Sequence, residues 1–253
     1  MSALSGWRLA LGTLTIIPAG SVSPTAAAVR WFVALSPLAV LPLAAGAAGI
    51  TALGGWLGLP ALVTGLLAVG LVALGTRAMH LDAVADVADA LGGGWTPERA
   101  RAILKSGDVG PMGVVALILV IGLQAASVGA LASTELGWVL VGVAVALSRW
   151  FLGPACWGVP AMPGSSLGAV FARALPGWQA WLWPVLAVVI LAGLASAMGR
   201  PWWLGVLAGG LALGLALVVR GRARRRFGGM NGDVLGAAIE VALTAMLVVL
   251  AWG

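Results

Sequence analysis

"PMGVVALILVIGLQAASVGALA", residues 111–132, contains no charged side chain. As a helix rising 1.5 Å per residue it reaches about 33 Å, enough to cross the roughly 30 Å hydrocarbon layer of a bilayer. The rest of the chain repeats the pattern. It is 61% hydrophobic and 9% charged over 253 residues, whereas soluble domains carry about a quarter charged residues. Apolar windows predict seven spanning helices, at about 31–53, 58–76, 111–132, 137–157, 178–198, 201–219 and 234–252. The fold class that follows is all-α: a polytopic membrane bundle, residues 1–253 forming a single domain. Two polar segments interrupt it, at about 77–110 and 227–240. The N-terminal piece 4–18 is too short to span and has no small-residue cleavage pattern, so it is expected to lie in the interface or re-enter rather than act as a secretory signal.

The net charge of +6 invites a nucleic-acid reading, but the basic residues flank apolar spans. With the N-terminus in the cytoplasm, Arg8, Arg30, Arg77, Arg99, Arg101, Lys105, Arg173, Arg220, Arg222, Arg224, Arg225 and Arg226 fall on that side. Only Arg200 falls opposite, and Arg149 lies within a span. That asymmetry predicts a multi-pass protein of the cytoplasmic membrane, C-terminus outside, partnered by lipid and not by nucleic acid. Trp residues near span ends, such as Trp31, Trp56, Trp138 and Trp203, read as interfacial belts. Cys156 is the single cysteine and excludes both a disulfide and a cysteine-based zinc cluster.

Against this economy of charge stands "MHLDAVADVADALGGGW", residues 79–95. Asp82, Asp86 and Asp89 are three of the chain's eight acidic residues. Their i, i+4, i+7 spacing puts all three on one helix face over roughly 10 Å, while the intervening Ala and Val residues give the helix an apolar back. Like charges at that spacing repel. A shared cation resolves the repulsion, and hard oxygen ligands without cysteine point to Mg2+ or Mn2+. His80, the only histidine, faces off the stripe; it reads as a hydrogen-bonded structural residue or, with a bend at the helix start, as a general base. Thr96 and Pro97 open a short helix over 97–105, whose Arg99, Arg101 and Lys105 either meet phosphate or serve as orientation charges.

The second polar segment is "GGMNGDVLGAAIE", residues 228–240. Asn231 or Asp233 can cap the last span, and Glu240 lies two turns deeper on the face of Asp233. A carboxylate at that depth needs a partner. Arg149, at similar depth in "ALSRWFLG", is the expected one, either as a structural pair or as a guanidinium that also holds substrate phosphate.

These motifs resemble the cobalamin synthase family over nearly the whole chain. "LTIIP" at 14–18, "HLDAVADVADAL" at 80–91, "ILKSGDVGPMG" at 103–113, Ser148-Arg149 and "GGMNGDVLGAAIE" match the family's motifs in order. The chain departs from them at Ala83, at Asn231, and at Ser106-Gly107-Asp108, where a basic side chain becomes acidic, so no phosphate role carries to Asp108. The resemblance implies a Mg2+-dependent phosphotransfer joining α-ribazole or its 5′-phosphate to adenosylcobinamide-GDP, with release of GMP. It implies Asp82, Asp86 and Asp89 as metal ligands, Asp233 as a further ligand or the base, and Lys105 and Arg149 as phosphate holders. Asn231 and Glu240 enter as substrate-site residues and His80 as a catalytic candidate. The sequence is equally compatible with a monomer or a homo-oligomer. Two other classes compete. A CDP-alcohol phosphotransferase also carries aspartates on membrane helices, but its "DGxxAR" element is missing here. A secondary transporter would use Arg149 and Glu240 as a coupling pair, yet no inverted repeat is visible.

Overall fold

The computed structural model describes residues 2–252. Among them helices α1 to α13 follow one another: Ser2–Leu14, Ala26–Ala39, Leu41–Trp56, Ala61–Gly75, Met79–Gly93, Pro97–Ile103, Pro111–Ala132, Gly137–Leu147, Leu152–Cys156, Ser166–Ala174, Gly177–Ala197, Trp202–Arg226 and Gly232–Trp252. A 3-10 turn, Ser148–Phe151, joins α8 to α9. The all-α bundle is as expected, with six helical stretches long and apolar enough to cross a membrane, or seven if the bent α4–α5 pair counts as one.

The centre of the bundle is α13, where residues 234–240 are buried without interruption. Around it, lipid-facing helices such as α7 and α11 leave large apolar side chains exposed, Ile118 and Val189 among them. Without water to drive helix association, close approach depends on small residues. In the α4–α7 pair, Gly65 lies against the Ala125 carbonyl and Gly129 against that of Ala61, so the two helices run antiparallel. In the α11–α12 pair, Gly205 and Gly209 face Leu191 and Val188. A side chain at Gly65 or Gly205 would meet backbone, which cannot move aside.

The structure adds three features to these expectations. The first span, Ala26–Trp56, is made of two helices, α2 and α3, that meet at Val40, because Pro42 cannot supply the N–H that a continuous helix needs there. The helix expected at 58–76 is α4, which ends at Gly75, and α5 departs from it at 92°. The turn is made by Arg77 and Ala78, both left-handed at φ 58° and 54°, a conformation costing non-glycine residues about 1–3 kcal/mol each. It is held by the Arg77 side chain, which donates to the Gly12 carbonyl at 2.8 Å, and by the Ile16 amide, which donates to Gly75 O at 2.8 Å. The third is α10, which the apolar windows missed because it is nine residues long. Its signal was present: Ser165 caps Gly168 N, and Pro176 follows its end.

The 92° bend positions the acidic motif. Instead of continuing α4, α5 lies across the starting ends of α7 and α13. Gly113 admits the Asp89 carboxylate and the Ala85 carbonyl, and Gly236 admits Ala83 and His80. The stripe therefore sits at one end of the bundle, outside the spans. Helix α6 begins as expected, with Thr96 accepting a hydrogen bond from Arg99 N.

Candidate functional site

The three stripe aspartates share one helix face but not one environment. Asp82 is exposed, Asp86 half-buried and Asp89 buried. Both Asp89 oxygens are engaged: one accepts from Gly110 N at 2.7 Å, the other from Gly113 N at 2.9 Å. Asp89 thereby closes the N-terminus of α7, where backbone donors have no helical partner and the helix dipole favours an anion. Asp82 and Asp86 make no such bonds and face the start of α13, where Asp233 sits in the first turn. Asn231, not Asp233, caps that helix: its Oδ1 accepts from Val234 N at 3.0 Å, and its Nδ2 donates to the Asp233 carboxylate.

Crowding shows in Asp86. Burial, then the carboxylates of Asp82, Asp233 and Asp89, push its carboxyl up from 3.8 to about 6. No basic side chain relieves it. Among the described residues the ion pairs are Arg101–Glu98, 2.8 Å, on exposed α6, and His80–Glu240, 3.9 Å, in the interior. A hydrogen bond from its own backbone N–H, and after it the Arg101 pairing, holds the Glu98 carboxyl below its usual range.

These donors suit a hard divalent cation in charge and element. As the side chains stand, no three His, Cys, Asp or Glu groups among the described residues close on one point.

The basic residues of α6 fold toward the same end. Arg101 Nη1 donates to the Phe227 carbonyl at 3.3 Å. The exposed Lys105 places its Nζ beside Gly164. That glycine lies in the 157–165 loop, which is tied to the α12–α13 turn: Met162 N donates to Met230 O at 2.8 Å and Met230 N to Pro160 O at 2.9 Å. Lys105 and the Asn231–Asp233 turn are thus joined through one strap. Arg99 is exposed on α6.

A separate polar cluster lies inside the bundle. Glu240 does not form the expected ion pair with Arg149. Its Oε1 accepts from Gln124 Nε2 at 2.7 Å, and the same nitrogen donates to Thr244 Oγ1 at 2.9 Å. Arg149 is fully buried in the 3-10 turn, and its Nη1 folds back onto Val145 O and Ser148 Oγ, both at 2.7 Å. Its Nε and Nη2 have no hydrogen-bond partner, nor does His80 Nδ1, which faces Glu240 Oε2. The guanidinium is close enough for its charge to act on both His80 and Glu240. Gln124 was missed at the level of sequence, although a lone glutamine in an otherwise apolar span was a readable sign of an interior polar partner.

Between the rim and this interior cluster opens a small, partly open pocket. Its walls are Leu14, Phe32, Leu167, Phe171, Leu235 and Ile239; His80 and Asp233 supply much of its polar edge. Phe32 and Phe171 meet edge-on with centroids 5.2 Å apart, which fixes one wall. The arrangement is an anionic rim with no ion-pair partner among the described residues, a lysine beside an adjoining strap, and an apolar chamber beside one of the rim carboxylates.

The family model described as "Cobalamin-5-phosphate synthase" matches residues 6–251. The chain is 41% identical over 253 residues to an adenosylcobinamide-GDP ribazoletransferase of Nocardioides sp. (strain ATCC BAA-499 / JS614), covering 97% of each protein. It is 33% identical over 249 residues to the protein of that name from Bradyrhizobium diazoefficiens, covering 96% of this chain and 92% of the relative. With that of Geobacillus kaustophilus it shares 31% over 258 residues, 99% of this chain and 95% of the relative. No solved structure matches.

Proposed function

The chain belongs to the cobalamin-5-phosphate synthase family, and from that premise we propose how its residues carry out the transfer. It is an enzyme that joins ribazole to adenosylcobinamide-GDP. A ribazole hydroxyl oxygen attacks the phosphorus atom on the cobinamide side of the diphosphate. The new P–O bond forms as the bond to the bridging oxygen breaks, GMP departs with that oxygen, and the hydroxyl proton passes to a base. The product is adenosylcobalamin, or its 5′-phosphate when ribazole phosphate is the acceptor.

Such a reaction depends on positioning and charge neutralisation. The observation that carries the assignment is the trio Asp82, Asp86 and Asp233, three carboxylates at one rim without an ion-pair partner among the described residues. In this reading they hold Mg2+ or Mn2+, and Asp89 keeps α5 docked on α7. A cation bound there would supply positive charge to the diphosphate and to the departing GMP. Asp233, which borders both rim and pocket, accepts the hydroxyl proton, and Asn231 orients it. Lys105 holds a phosphate oxygen from the strap side. Arg149 and Glu240, enclosed in the interior, position His80 and the start of α13 rather than touch substrate. The one-sided basic residues support a cytoplasmic membrane location, with the N-terminus and the site facing the cytoplasm.

The test is GMP release by detergent-solubilised protein given both substrates. Release should require Mg2+ or Mn2+ and stop on chelation; undiminished release in chelator would remove the cation from this account.

A further inference from the structure

We infer that the apolar pocket beside Asp233 takes the flat, uncharged base of the ribazole acceptor and leaves its sugar hydroxyls at the carboxylate rim. The inference rests on the transferase reading above and deepens it by assigning one substrate to one chamber. The walls include Leu14 from α1, Phe32 from α2, Leu152 from α9, Leu167 and Phe171 from α10, and Ile239 from α13.

Size and polarity separate the candidate occupants. The corrin ring with its amide arms is larger than the chamber. Guanine carries donors and acceptors around most of its edge; Thr13, His80 and Asp233 lie on one side only and would meet part of them, leaving the rest against leucine and phenylalanine. The lining offers the diphosphate no lysine or arginine, and in the reading above the diphosphate belongs with the cation at the rim. A benzimidazole base is aromatic, neutral and poor in hydrogen-bonding groups, which suits two phenylalanine rings and aliphatic walls. With the base seated, the attached ribose reaches toward Asp233, where its hydroxyl must lose a proton.

The experiment uses full-length protein and varies each substrate in turn. Leu167 is half-buried, so enlarging it fills the chamber with little effect on the core. Leu167→Trp should raise KM for α-ribazole by about tenfold or more, and KM for adenosylcobinamide-GDP by less than about twofold. With a riboside of benzimidazole lacking the ring methyl groups, the penalty should shrink to about threefold, because one methyl group in an apolar pocket is worth about tenfold or more in discrimination. Leu167→Ala, which removes wall instead of filling space, gives the same selective pattern at smaller size and serves if the tryptophan variant fails to accumulate. An unchanged ribazole KM in both variants, or equal increases for both substrates, overturns the inference. Absence of GMP release from the wild-type protein is a different result, and overturns the transferase reading itself.

Discussion

Asp86 and Glu240 are both carboxylates that the fold partly or wholly removes from water, yet their surroundings are opposite. Glu240 receives a hydrogen bond from Gln124, stands near His80 and feels the charge of Arg149. Asp86 has three other carboxylates near it and no ion-pair partner. An acid provided for by its own chain is holding structure together. One that the chain leaves crowded by like charge is, in the reading proposed above, completed by a cation from outside the chain. The contrast also runs within α5, where Asp89 is consumed by the α7 amides while Asp82 and Asp86 remain free of such bonds.

The largest expected effect breaks the comparison at the rim. Asp82→Asn, Asp86→Asn and Asp233→Asn should each reduce turnover at least roughly 100-fold, about 2.7 kcal/mol of transition-state stabilisation. Removing repulsion should leave membrane insertion and thermal stability in detergent unchanged or slightly improved. Asp89→Asn should behave differently. An amide cannot accept from both Gly110 N and Gly113 N, so one buried donor loses its partner at a cost of about 1–3 kcal/mol. Here lowered melting temperature and lowered activity should appear together. A fall in activity alone would place Asp89 with the rim residues.

In the interior, Glu240→Leu should lower stability by about 1–3 kcal/mol because Gln124 Nε2 loses one of its two buried acceptors and keeps only Thr244 Oγ1, whereas Glu240→Gln preserves an acceptor and should cost less. The double variant Gln124→Leu/Glu240→Leu should recover part of the loss. Chemical denaturation in detergent would measure all three, and equal losses in every variant would count against the Gln124 bond.

The smallest effect is pH dependence. Asp86 binds its proton more tightly in the folded protein than in the unfolded chain, since its carboxyl is raised from 3.8 to about 6. Its proton therefore favours the folded state, and the metal-free protein should lose stability as pH rises from about 4 to about 6. A cation needs the ionised form, so apparent Mg2+ affinity should weaken as pH falls below about 6. Melting curves with and without Mg2+ should diverge above that pH; parallel curves would detach Asp86 from the cation.

Much of this was legible in the sequence, for physical reasons that also mark its limits. Bilayer thickness fixes span length, so segments such as 111–132 and 178–198 could be placed within about one residue of α7 and α11. Helical periodicity put the three aspartates on one face. What it could not reveal is that the chain turns at Arg77 and Ala78, because neither residue type advertises a left-handed conformation. Without that turn, the docking of Asp89 onto Gly110 and Gly113 is invisible, and the stripe looks uniform. The Arg149–Glu240 pairing followed from depth alone. Depth along a helix does not specify the facing side chain, and a neutral glutamine on a third helix took the place assigned to the arginine.

The central claim is that the rim carboxylates serve the chemistry and the interior carboxylate serves the fold. It is tested most directly by titrating Mg2+ against GMP release for wild type, Asp86→Asn and Glu240→Gln, side by side in the same detergent. The account predicts saturable Mg2+ dependence in wild type and in Glu240→Gln. In Asp86→Asn, turnover should be roughly 100-fold lower, or half-saturation should shift to much higher Mg2+. A wild-type titration curve from Asp86→Asn, with Glu240→Gln inactive but fully folded, would contradict it.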